Sequence, residues 1–426
     1  MRVLFIDIDT LRPDHMGCYG YKRNTTPVID EIAKEGIVFD RYYCPNAPCL
    51  PSRASLVTGK YGIHNGILVG GRGMESAESV TPYVLDWLER NGESDNWMLH
   101  VHYWDPHTPY RTPADYESHF VGTPSPDDWI TDEIFEEHLL HIGPHGANEI
   151  NMWNDNTSEQ YPKHPGSLKT REDAKRFIDL YDDGVRYTDD NVGMIMDVIK
   201  RKGLYNDDLA IIVTSDHGED LGELGIYGEH GVADNIVCRI PMIIKWPGAQ
   251  KGTVVNGFHN NVDLLPTIQE LLGLQASPTS EYDGVSYAQT LMNGADCSRE
   301  YEILTQCAHV CQRSARFDNY VYIRTIHGGY HLFPKEMLFD VENDPHQLHN
   351  LAQEPDLCEK GAKMILDWTE EMMKKSTSDI DPMWTVVREG GPEHCRGKLN
   401  EYIERIDGTP REYGIPLLQK QYPNEE

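Results

Sequence analysis

Two apolar runs that close on carboxylates restrict this chain more than any other feature: VLFIDID, Val3–Asp9, and LAIIVTSDHGE, Leu209–Glu219. A short, uninterrupted apolar run is the pattern of a strand buried on both faces, and such strands belong to parallel sheets covered by helices. Polar residues at the end of the run put chemistry at the carboxyl edge of the sheet. NWMLHVHYW, Asn96–Trp104, and IPMIIKWPG, Ile240–Gly248, supply further strands. Between them, TTPVIDEIAKEG reads as a helix with Thr26 as its cap, Pro27 first and Gly36 as the stop. The segment Thr170–Gly203 opens on Thr170 with Asp173 three residues on. Its Phe177, Leu180, Tyr181, Val185, Val192, Ile195, Met196 and Ile199 form one helical stripe, the mark of a core face.

Strands alternating with helices predict an α/β chain: a large, mostly parallel or mixed central sheet with helices on both faces. After about Cys297 the texture changes. YVYIRTIHGGYHLF and EMLFDVEN read as short antiparallel strands, and Pro355–Lys374 as a helix packing on them. The expected division is a catalytic unit over 1–297, a small antiparallel-sheet subdomain over 298–376, and a polar tail over 377–426 packing near the active-site face. With 426 residues, 39% hydrophobic, the chain can bury such a core.

The formal net charge of −31 repels nucleic acid, anionic membranes and long polyanions, so an anionic substrate would be small and held in a locally basic pocket. No run approaches the ~18 apolar residues of a membrane helix. The opening MRVLFIDIDT turns acidic too soon for a signal peptide, and nine cysteines lack a disulfide-framework spacing. The expectation is a reducing, cytoplasmic setting.

Three acidic strand ends recur: Asp9, Asp105 and the pair Asp216–His217. Each alone would pass as a helix cap or turn residue. Gathered at one sheet edge they would repel unless a cation sat among them, and Asp9, Asp216 and His217 suit a divalent ion with open positions. APCLPSRASLVTGK, Ala47–Lys60, delivers Cys49 to a helix start with Arg53 one turn later. A buried core cysteine is the plain alternative. The helix N-terminus and Arg53 instead suggest a thiol of lowered pKa. His107, in YWDPHTPY, is a candidate acid or simply a residue ordering a proline-rich loop.

Cys49-Leu50-Pro51-Ser52-Arg53, continuing through ASLVTGK, resembles the signature of the formylglycine-dependent sulfatases of the alkaline phosphatase superfamily. DIDTLRPDHMGCYG, DPHTPY, TSDHGEDLGE and EMLFDVENDPHQLHNLA resemble the family's other motifs, in family order. The resemblance implies an alkaline-phosphatase-like fold and a metal held by Asp9, Cys49, Asp216 and His217, calcium first, with magnesium or manganese as alternatives. It also implies that a maturation enzyme oxidises Cys49 to formylglycine. The hydrated aldehyde attacks the sulfur of a sulfate ester, then releases sulfate as the hemiacetal collapses. Arg53 would hold the formylglycine and its metal environment, and His107 would contact the sulfate or protonate the leaving alcohol. The implied substrate is a small sulfated compound, a saccharide by expectation. The rivals are a phosphonate monoester or phosphodiester hydrolase and a non-catalytic descendant.

This chain departs from the pattern at several places. Thr10 stands where many members have a second aspartate. The family's sulfate-binding lysine would fall near Glu229, which leaves His230 as its substitute. The span from Cys49 to His107 holds no basic Lys-x-His-like element. Between Val69 and Val80, Gly70, Gly71, Gly73 and MESAES replace what should be a helix, a strand and returning cations. The expectation is a missing element around Gly70–Ser79, a sheet short by a strand, and an open pocket. Lys60, His64 or Arg72 could complete that pocket instead. His309, His394 and Arg396 are possible substrate contacts, with exposed loop positions the plainer reading.

Overall fold

The computed structural model describes residues 1–69, 75–125, 128–152, 155–275 and 282–423. Its central sheet is built from β1 (Arg2–Ile8), β2 (Ile37–Tyr43), β3 (Met98–Tyr103), β4 (Leu209–Thr214), β5 (Met242–Lys245) and β6 (Thr253–Asn260). Their order is β3-β1-β4-β5-β2-β6. β1 lies parallel between β3 and β4, with Asp7 opposite both His102 and Thr214. β5 alone runs antiparallel to its neighbours β4 and β2, which makes the sheet mixed. The apolar runs are where the sequence places them: Leu4, Ile6, Ile211 and Val213 face one buried layer, and Phe5, Ala210 and Ile212 the other.

The helices that matter for the site are α1 (Pro27–Lys34), α2 (Cys49–Thr58), α3 (Ala77–Asn91) and α4 (Arg171–Arg201). α4 carries the expected capping box of Thr170 and Asp173, and its predicted stripe is buried apart from the half-buried Leu180. The α1 cap differs from expectation. Thr26 makes no capping bond, and Asp189 of α4 accepts from the N–H groups of Val28 and Ile29, each at 2.9 Å. A carboxylate satisfies two orphan donors where a threonine satisfies one, and Thr26 Oγ1 is engaged with Asp30 at 2.9 Å.

A second sheet follows, with β7 (Tyr301–Gln306), β8 (Cys311–Phe317), β9 (Tyr320–His327) and β10 (Glu336–Asp340) antiparallel in sequence. The two-residue strand Asn46–Ala47, just before α2, pairs with β7. Helix α5 (Pro355–Lys375) packs Trp368 and Met372 with Ile303 and Tyr322 in one core. The tail is more ordered than its polar composition suggests. Leu399, Tyr402 and Ile406 recur at helical spacing and bury against Tyr330, Leu418 and Ile142. Among the described residues no helix is long and apolar enough to cross a membrane.

Candidate active site

The carboxyl ends of β1 and β4 and the first turn of α2 meet at one point. Single ligand atoms of Asp9, Cys49, Asp216 and His217 all lie within 4.8 Å of one another, and all four residues are buried. Asp9 and Asp216 are brought side by side because β1 and β4 are adjacent and in register. Ser52 Oγ donates to the Asp216 carbonyl at 2.5 Å and ties α2 to that edge. Arg53, one turn beyond Cys49, places its Nη2 between the two carboxylates, 2.8 Å from Asp216 Oδ2 and in contact with Asp9 Oδ2.

One guanidinium does not neutralise this site. Burial and the Asp216 charge push the Asp9 carboxyl well above the usual carboxylate range. Burial pushes Asp216 the same way, but His217 and Arg53 hold it below that range. Asp9 Oδ1 and Thr10 Oγ1 are buried with no hydrogen-bond partner among the described residues. Such lone pairs, gathered from hard oxygen donors and one imidazole, fit a divalent cation.

The thiol itself departs from expectation. Burial, Asp9 and Asp216 push Cys49 well above the ordinary thiol value, against the smaller opposing effect of Arg53. Cys49 stands in the first turn of α2 beside Arg53, yet two carboxylates in a dry site outweigh one guanidinium and a helix end.

Around Cys49 Sγ stand His217 Nε2 at 3.2 Å and His107 Nε2 at 3.8 Å. His107 Nδ1 donates to the Thr108 carbonyl, which leaves Nε2 bare towards the sulfur. Burial and the neighbouring His217 push His107 down to about 3, so it stands neutral. His230 joins this group, its ring 4.2 Å from that of His217 and 5.1 Å from that of His107. Asp105 does not join it. Its Oδ2 accepts from the Ala77 N–H at 2.7 Å at the start of α3. A strand-end aspartate here satisfies a helix terminus instead of a cation.

Other expected residues fall elsewhere. His64 is bound between Asp283 at 2.7 Å and the Met372 carbonyl at 3.0 Å. Arg72, with Gly70, Gly71, Gly73 and Met74, lies outside the described residues. Arg396 is exposed and paired with Glu389. His309 is buried, 3.3 Å from Glu229, with the exposed His394 ring 4.3 Å from its own. Three residues escaped the sequence reading. Asn261 donates to Ser52 Oγ at 3.0 Å, and Arg12 is buried in an ion pair with Glu223 at 2.9 Å. His145 reaches Glu229 from a distant loop. Only Arg12, inside DTLRPD, lay in a quoted motif.

The Sulfatase family model matches residues 2–73 and 68–274. The chain is 26% identical over 412 residues to an ulvan-active sulfatase of Formosa agariphila, covering 85% of this chain and 78% of that one. The phosphonate monoester hydrolase of Silicibacter pomeroyi shares its fold with a TM-score of 0.66 at 20% identity, over 90% and 97% of the two chains. A protein solved with its substrate D-glucosamine-2-N,6-O-disulfate does so with a TM-score of 0.63 at 19% identity, over 89% and 99%.

Proposed function

Since the chain belongs to the sulfatase family, we propose that it hydrolyses a sulfate ester or sulfamate on a small carbohydrate, using formylglycine made from Cys49. The observation that carries this reading is the convergence of Asp9, Cys49, Asp216 and His217 within 4.8 Å. A divalent cation held by these residues, calcium first, would supply electrophilic polarisation of the nucleophile and the sulfate oxygens. The formylglycine hydrate would supply a hydroxyl nucleophile and a second hydroxyl for release of sulfate. Arg53 orients the nucleophile's surroundings by spanning Asp9 and Asp216. His107 enters neutral with Nε2 facing position 49, so it takes a proton first and can then return it to the leaving alcohol. His230 flanks the same space. A sulfated saccharide is favoured by the ulvan-active relative and the disulfated glucosamine bound to the structural neighbour.

The missing element belongs to this reading. The two family-model segments meet at 68–73. Among the described residues the central sheet ends at β3, an edge on which Met98 is exposed. Asp7 of the neighbouring β1 and the half-buried His102 of β3 have buried side-chain atoms without hydrogen-bond partners among the described residues. A phosphonate monoester hydrolase is the second reading, favoured by the Silicibacter structure.

Co-expression with a formylglycine-generating enzyme should convert Cys49 to an aldehyde, seen in peptide mass spectra and by hydrazide capture. Matured protein should then cleave a sulfate ester faster than the phosphate or phosphonate ester of the same alcohol. The opposite order supports the second reading. Full activity in Cys49→Ala rules out both.

A further inference from the structure

A second set of metal-ligand side chains lies next to the first. Ligand atoms of His145, Glu229 and His309 fall within 4.8 Å of one another. His145 Nε2 is 3.3 Å from Glu229 Oε2, and His309 Nε2 is 3.3 Å from Glu229 Oε1. His230 Nε2 approaches the same Oε1 at 3.1 Å. All four residues are more than nine-tenths buried. We propose that His145, Glu229 and His309 hold a divalent transition-metal ion, a second cation site beside the Asp9–Asp216 centre.

The argument begins at His145. Its Nδ1 lies 2.7 Å from the Ile150 carbonyl, which can only accept, so the proton sits on Nδ1. Nε2 is then a bare lone pair aimed at a carboxylate, and it is buried without a hydrogen-bond partner. Two lone-pair groups facing each other in a dry pocket repel unless a cation lies between them. A second ring nitrogen bonded to a backbone carbonyl is also how proteins orient metal-binding histidines. The spacing agrees. Zinc ligands about 2.0–2.1 Å from the ion sit roughly 3.3–3.4 Å apart in a tetrahedron. Imidazolium–carboxylate pairs would close to about 2.7–2.9 Å instead. Two imidazoles and one carboxylate favour zinc or a first-row neighbour over calcium, which takes oxygen ligands.

What the ion does there rests on the sulfatase reading. Glu229 stands where the resemblance expects a sulfate-binding lysine, and an anionic side chain cannot grip sulfate. A dication on Glu229 restores positive charge beside His230, at the edge of the Cys49 pocket.

The test is zinc stoichiometry, measured by equilibrium dialysis on metal-free full-length protein. The Cys49→Ala/Asp216→Asn background removes ligands from every set that includes Cys49. It should still bind one equivalent of zinc, and cobalt in its place should give visible d–d absorption. Adding His145→Gln or His309→Gln should abolish both signals, with circular dichroism reporting that the fold is kept. Absence of zinc from the background, or retention of zinc by both folded glutamine variants, overturns the proposal. A glutamine variant that does not fold is replaced by zinc K-edge absorption on the background protein. There, two imidazoles and one carboxylate support the site and any other set overturns it. None of these readouts depends on Cys49 maturation or turnover, so the sulfatase reading stands or falls separately.

Discussion

Ser52 Oγ donates to the backbone carbonyl of Asp216 at 2.5 Å, across 164 residues of sequence. It accepts in turn from Asn261 Nδ2 at 3.0 Å, and Ser52 is fully buried. The signature helix is thereby fastened to the carboxyl end of β4, so the position of Cys49 relative to Asp216 is set by a hydrogen bond. Ser52→Ala leaves a buried carbonyl and a buried amide short of partners, a loss of about 1–3 kcal/mol. Urea unfolding of the metal-free protein should show it, and calorimetry should show weaker metal binding although no ligand has changed. Unaltered stability would refute this account of Ser52.

Asp9 and Asp216 repel each other when no cation other than Arg53 is present. Calcium should therefore raise the melting temperature of chelated protein, by the equivalent of about 2.7 kcal/mol at a hundredfold excess over Kd. Asp9→Asn should abolish that rise. A wild-type melting temperature indifferent to calcium would count against the Asp9–Asp216 centre as a calcium site.

The proposed loss of an element around Gly70–Ser79 makes a kinetic prediction. Each preorganised donor lost from around the transferring group is worth roughly 3–4 kcal/mol. Even with complete formylglycine conversion and metal loading, kcat/KM on the preferred sulfate ester should fall below the usual ~10⁴–10⁸ M⁻¹s⁻¹. A value inside that range would mean that nothing needed is missing.

Burial pushes the Glu302 carboxyl up from its ordinary 4.5 to about 7, despite Arg299. The folded chain keeps that proton between pH 4.5 and 7 while the unfolded chain releases it. This contribution to stability is therefore lost as pH rises through that window, by an amount on the order of a few kcal/mol. Glu302→Gln keeps an oxygen for Asn260, which now donates at 2.8 Å. The variant should gain on wild type between pH 5 and pH 8, read from melting temperatures. A pH-independent difference would contradict the shift.

The sequence by itself determined part of the framework: four of the six central strands and the long helix within Thr170–Gly203. A short uninterrupted apolar run bounded by turn residues is the pattern of a strand buried on both faces, and the stripe of Thr170–Gly203 is the pattern of a helix packed on a core. It also singled out Asp9, Cys49, Arg53, His107, Asp216 and His217, which sit in contiguous motifs or at strand ends and converge in the fold. Only the tertiary structure decided which carboxylates meet. Asp9 and Asp216 share an edge, whereas Asp105, at an equally acidic strand end, accepts from a helix start. It alone reversed the reading of the Cys49 thiol, since burial and two carboxylates act through space. His145 and His309 lie 84 and 80 residues from Glu229 in opposite directions. No periodicity or spacing joins such residues; folding does, by bringing two distant loops to one buried carboxylate at the end of a short strand.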